Sequence, residues 1–107
     1  MHEAGAVGRA LDAAFATAPP GAGAPRGVAL VVTDPVNLVA ASAELHLRLH
    51  LAEHGLADLP IRTTVRPATC AICGLETTPE PSDPFCPSCG MPYPPKSGPG
   101  VEIAFDW

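Results

Sequence analysis

The chain has 107 residues, enough for one small domain or a small domain with an appendage. Hydrophobic residues reach 47%, but 18 of them are alanine and only 24 are Leu, Val, Ile or Phe, against 10 glycines and 14 prolines. The net charge of −5, with six scattered basic residues, argues against nucleic-acid binding, and the longest strongly apolar run, Val28 to Val32, is far too short to cross a bilayer.

A chain so short of core and so rich in turns needs a staple, and its four cysteines are the candidates. The first residues carry no secretory pattern, and Glu3 and Asp12 fall where a mitochondrial presequence is poor in acids. A cytoplasmic protein is expected. In that compartment paired Cys-x-x-Cys units read as metal ligands before they read as disulfides.

Val7, Leu11, Ala14, Phe15 and Ala18 share one face at a 3.6-residue period, which predicts a helix over 4–18, ended by Pro19 and Pro20. Residues 19–27 read as a loop. Residues 28–33 read as a short strand buried on both faces and stopped by Asp34-Pro35.

Residues 42–54 are ambiguous. Leu45, Leu47, Leu49 and Leu51 alternate with His46, Arg48 and His50, as in a strand. Frequent Ala, Glu, Leu and Arg, with no β-branched residue, favour a helix instead. A helix is expected, with Leu45, Leu49, Ala52 and Leu56 as its apolar stripe. Ser42 or Asn37 would be its N-cap, Glu44 would suit the N-terminal dipole, and Gly55 the C-terminal cap. His46, His50 and His54 then share one face, read as solvated and polar, with an auxiliary metal site or partner surface as the alternative.

Ile61, Thr63 and Val65 alternate with polar residues in a strand that runs towards Cys70. Val101, Ile103, Phe105 and Trp107 alternate in a last, half-buried strand that should return to the same sheet. The expected fold is α+β: two helices packed on a small, mainly three-stranded sheet, formed by residues 1–67 plus 101–107. A cysteine-rich, zinc-ribbon-like domain, 68–100, is inserted in it. Tyr93 and Trp107 read as packing residues.

The cysteines follow the pattern Cys70-x2-Cys73-x12-Cys86-x2-Cys89, and each pair is followed by glycine. A Cys-x-x-Cys turn presents two thiolates to one ion, and the glycine lets the backbone turn left-handed as it closes. Two such turns supply the tetrahedral sulfur set that structural zinc prefers. A rubredoxin-like iron site and a redox dithiol pair are the alternatives. A zinc ion held by four cysteines has no open position, so catalysis there is not expected.

The chain opens Met1-His2-Glu3. A terminal amine with a pKa near ~8 yields its proton to a metal near neutral pH. The Met1 amine, the His2 amide nitrogen and the His2 imidazole can form adjoining chelate rings, a planar nitrogen set that suits Ni(II) or Cu(II) rather than zinc. Glu3 could add an oxygen.

Met-His-Glu at the start, the order helix, strand, helix, strand, the two Cys-x-x-Cys units and the closing Gly98-Pro-Gly-Val-Glu102-Ile together resemble the HypA/HybF family of nickel metallochaperones for nickel–iron hydrogenases. The resemblance implies a nickel site on Met1, His2 and Glu3 beside a structural zinc held by Cys70, Cys73, Cys86 and Cys89. It also implies transfer of nickel to the hydrogenase large-subunit precursor with the help of an accessory GTPase, and it leaves a homodimer open. Some members serve urease. The family usually shows glycine then glutamate after the first strand, where this chain has Thr33-Asp34-Pro35. No phosphate loop or Ser/His/Asp arrangement is visible, so a non-enzymatic carrier is expected. The alternative is a zinc-ribbon interaction module without nickel transfer.

Overall fold

Apolar residues at helical spacing form the first element. In the computed structural model, which describes residues 3–78, 85–93 and 99–107, helix α1 spans Glu3–Phe15 and buries Ala6, Val7, Leu11 and Ala14. It ends before the predicted residue 18. Thr17 Oγ1 donates to the Ala14 carbonyl at 2.7 Å, and Pro19 disfavours helical backbone at Ala18, so Ala18 is exposed.

The elements that follow are β1 (Gly27–Val32), α2 (Ala40–Glu53), β2 (Ile61–Val65), β3 (Ala68–Thr69), β4 (Glu76–Thr77) and β5 (Val101–Asp106). The main sheet has the order β2-β1-β5, with β1 and β2 parallel and β1 and β5 antiparallel. A parallel pair needs a long crossover, and α2 lies within it. The architecture is α+β, two helices with a small mixed sheet.

The register aligns Leu30 with Thr63 on one side and Ile103 on the other, so Val28, Leu30, Val32, Ile61, Val65, Val101, Ile103 and Phe105 share the core face. Both helices contribute to this one core, through Val7 and Leu11 from α1 and Ala43, Leu47 and Leu51 from α2. Burying each leucine there is worth roughly 1.5–3 kcal/mol. The opposite face carries Arg62, Thr64, Glu102 and Ala104, all exposed. The expectation that β1 is buried on both faces is thereby corrected: it alternates between buried and half-buried, because the helical layer covers only one side.

Helix α2 corrects the predicted stripe. Leu45 and Leu49 are 58% and 57% exposed, while Ala43, Leu47 and Leu51 are fully buried. Neither Ser42 nor Asn37 caps it. The N-cap is Val39, with no side-chain cap hydrogen bond. The C-terminus behaves as predicted. Gly55 adopts φ 75°, its N–H donates to Ala52 O at 3.1 Å, and Leu56 N–H donates to Leu51 O at 2.8 Å. This pair of bonds is a Schellman closure, and it folds Leu56 back onto the core. Glu44 Oε1 accepts from Thr63 Oγ1, which ties α2 to β2 and satisfies the one polar side chain of β2 on the core face.

The cysteine-bearing segment stands apart from this layer. Its strands β3 and β4 form a separate two-stranded ladder, and its small cluster of Ala68, Cys70, Cys86 and Tyr93 receives Val36 from the β1–α2 connection. The molecule is elongated, 51 × 22 × 20 Å. Where the chain returns to β5, Gly100 at φ 86° accepts from the Thr33 N–H at 2.8 Å, and a Cβ there would lie 2.5 Å from Leu38 Cδ1. Only glycine fits this crossing. Among the described residues no helix is long and apolar enough to cross a membrane.

Candidate metal centre

Each cysteine pair sits in a turn that closes in the same way. Cys70 N–H donates to Leu75 O at 2.9 Å and Gly74 N–H to Cys70 O at 3.0 Å. In the second turn Cys86 N–H donates to Met91 O at 2.8 Å and Gly90 N–H to Cys86 O at 2.9 Å. Gly74 and Gly90 both have φ 76°, which a side chain would strain. The ladder of β3 with β4 supports the first turn, and a bridge between Phe85 and Pro92 supports the second.

The two turns face one another. Cys70 Sγ lies 3.6 Å from Cys89 Sγ, Cys73 Sγ lies 3.6 Å from Cys86 Sγ, and all four sulfurs fall within 4.8 Å of one another. A tetrahedral ion with metal–sulfur bonds of ~2.3 Å requires sulfur–sulfur edges of about 3.8 Å. The four cysteines are free thiols, so the cluster is not preempted by disulfides. Cys70 and Cys86 are buried, whereas Cys73 and Cys89 are exposed. The set therefore fits one metal ion held at the surface with one thiolate pair towards the interior.

The local electrostatics are divided. Backbone N–H groups of Cys73 and Ile72 stabilise the Cys70 thiolate and lower its pKa to about 6 despite burial. The Cys89 and Ser88 amides likewise lower Cys86 against the desolvation that burial imposes. Cys89 also receives a stabilising amide bond, from Met91, but desolvation and its cysteine neighbours Cys70, Cys86 and Cys73 raise it to about 11. Crowded sulfurs cannot all ionise in the absence of a cation, and a divalent ion relieves that repulsion.

Met1 and His2 lie outside the described residues. Glu3 is the first residue of α1, and its side chain also lies outside them. The histidine face expected to be solvated is so only in part: His54, the C-cap residue of α2, is exposed. His46 and His50 are half-buried, and a Cβ at Gly8 of α1 would lie 3.6 Å from the His50 ring. His50 Nδ1 is 3.2 Å from Glu53 Oε1, and His54 stacks on Phe15 with ring centroids 4.6 Å apart. Among the described residues the cysteines are the one group of three or more side chains placed to share a metal ion.

Sequence reasoning overlooked one residue that packs against the cysteines, Val36. Asp34, two residues before it, is a buried carboxylate whose Oδ2 accepts from Asn37 Nδ2 at 3.0 Å. A single apolar residue between Pro35 and Asn37 was the available signal. No protein-family model matches this chain, and comparison with curated proteins returns no match.

Proposed function

We propose that the chain is a nickel carrier of the HypA/HybF kind, in which Met1, His2 and Glu3 hold Ni(II) and Cys70, Cys73, Cys86 and Cys89 hold a structural zinc. The observation that carries this is the pairing, in one short chain, of a Met-His-Glu start with a four-cysteine cluster of tetrahedral dimensions. Zinc is the favoured occupant of the cluster because four thiolates close its coordination sphere and leave no position for substrate. Iron would give the same geometry with intense thiolate-to-iron colour.

The nickel donors are chemically distinct from the sulfurs. A terminal amine, a deprotonated amide and an imidazole favour a square-planar ion. Such a site at a chain end is open to competing ligands, so delivery proceeds by ligand exchange to the acceptor. The acceptor in this reading is the hydrogenase large-subunit precursor, assisted by an accessory GTPase, in the cytoplasm. Protonation of the amine and imidazole weakens the site as pH falls.

Nickel titration of untagged protein tests the proposal against His2→Ala and against a chain with residues added before Met1. Tight binding by the unaltered chain, lost in both variants with zinc content unchanged, supports it. Equal tight binding by all three proteins removes the terminal site and leaves a zinc-ribbon interaction module.

A further inference from the structure

The helices pack on one side of the main sheet, and strand pairing makes the other side one continuous surface. On that side Ala29 of the central strand stands between Arg62 of β2 and Ala104 of β5, and Val31 stands between Thr64 and Glu102. Asp106 follows on the same side of β5, opposite Gly27. Arg66, just past β2, reaches across β1 to Glu102, Nη2 to Oε1 3.2 Å. The charges are thus sorted by side: arginines along β2, carboxylates along β5, and small uncharged residues between them. Arg62, Arg66, Glu102 and Asp106 are all exposed. Arg66 and Glu102 satisfy each other, whereas the Arg62 and Asp106 side chains have no ion pair or hydrogen bond among the described residues. Both line a hollow at one end of the face, together with Arg26, Gly27, Ala29 and Ala104.

A face whose two sides carry opposite charge is complementary to its own copy. A two-fold axis along β1 lays β1 on β1, and β2 of each chain on β5 of the other. An axis across the strands would lay arginine on arginine instead. In the first arrangement each row of the register meets the same row of the second copy. Arg62 of one chain then falls over Ala104 of the other, whose single methyl leaves room for a guanidinium. Glu102 and Asp106 flank that position, each about 7 Å along the strand. Symmetry repeats the contact, so two unpaired arginines meet two unpaired aspartates. Sheets stacked in this way lie about 10 Å apart with strands within about 30° of each other. Three strands about 4.8 Å apart and five residues long cover only about 14 by 17 Å. Two such faces bury far less than the ~1,200 Å² of a standard interface, so association is weak. We propose that this open face of the sheet docks a second copy of the chain about a two-fold axis along β1, with Arg62 of each copy between Glu102 and Asp106 of the other. The contact involves neither the cysteines nor Met1-His2-Glu3.

Sedimentation equilibrium of the full chain over a range of concentrations tests this. The unaltered chain is expected to form a dimer that weakens as salt is raised. Arg62→Glu and Asp106→Arg should each weaken it about tenfold, because each puts like charges at positions 62 and 106 in both contacts. Mixed in equal amounts, the two variants should associate more tightly than either does alone, since opposite charges then meet at 62 and 106 in both contacts. That recovery also shows both variants to be folded. Leu45→Ser on α2 should leave association unchanged. A chain that stays monomeric at every concentration overturns the inference and leaves the face to a different protein. So does a dimer that both charge reversals leave intact, or one that each reversal weakens and the mixture does not recover.

Discussion

The α+β layer and the cysteine segment are stabilised by different physics. In the layer, eleven buried residues drawn from both helices, β1, β5 and the α2–β2 connection exclude water from one continuous core, with β2 packed against it through the half-buried Ile61 and Val65. In the segment the buried cluster has four residues, two of them cysteines. Ordering a residue costs about 1–2 kcal/mol of backbone entropy, and so little apolar surface does not offset it. The difference teaches where a Pro- and Gly-rich sequence needs another source of order: its four cysteines are placed so that closure on a metal ion could stand in for hydrophobic burial. The amides that stabilise the Cys70 and Cys86 sulfurs belong to the same turns that the closure fixes.

The largest expected effect separates the two regions outright. Metal removal by chelation, or Cys86→Ser, should abolish amide protection across 68–77 and 85–93, while α1, α2 and the main sheet still melt cooperatively. The energy at stake is on the order of 10–16 kcal/mol, as in small zinc-dependent folds. Hydrogen exchange with and without chelator measures it, and persistent protection in residues 70–76 without metal would contradict the division. Next in size is the converse change. Leu47→Ala empties a fully buried site in the layer and should cost about 2–5 kcal/mol in urea unfolding with metal content unaltered.

Protons provide a finer separation, because the layer contributes none to metal loading. Once metal removal has unfolded the turns, the amides that lower Cys70 and Cys86 no longer face them, and an unfolded cysteine, with a pKa of about 8.5, is mostly protonated at pH 7.5. Loading one divalent ion should therefore release roughly three to four protons. The sign follows from linkage: binding needs the ionised forms, so apparent affinity rises with pH up to the ordinary thiol range. Calorimetry in buffers of different ionisation enthalpy counts the protons. Release of two or fewer at pH 7.5 would show that the metal-free turns stay folded and keep Cys70 and Cys86 ionised.

The sequence made the cysteine cluster more legible than the layer beside it. Cysteine spacing fixes local geometry through two short turns, so Cys70, Cys73, Cys86 and Cys89 could be named from the chain alone, together with the glycines that close them. The element order and the return of β5 were legible too, since alternation over Val101, Ile103 and Phe105 has one meaning. Long-range packing was not legible. Nothing local states that both helices cover the same side of β1, so Val31 was read as buried when it is only half-buried. The cap of α2 was misplaced because the helix begins behind Val39, which has no side-chain cap hydrogen bond, between the two polar residues Asn37 and Ser42 that could have capped it.

The smallest predicted effect tests the hardest of these misreadings. Leucine occupies every second position from 45 to 51. On a helix, residues two apart point about 200° away from each other, so Leu45 and Leu49 oppose Leu47 and Leu51. Leucines on both sides cancel as an amphipathic signal, and the sequence gives no reason to prefer either pair, since Ala41 stands four residues before Leu45 as Ala43 does before Leu47. In the fold the inner row is Ala43, Leu47 and Leu51. Leu45→Ser, more than half exposed in the wild type, should then shift unfolding by less than about 0.5 kcal/mol, several-fold below Leu47→Ala measured in the same urea series. A loss equal to that of Leu47→Ala would mean that α2 is rotated by half a turn, with Leu45 and Leu49 in the core and His46 and His50 turned away from α1.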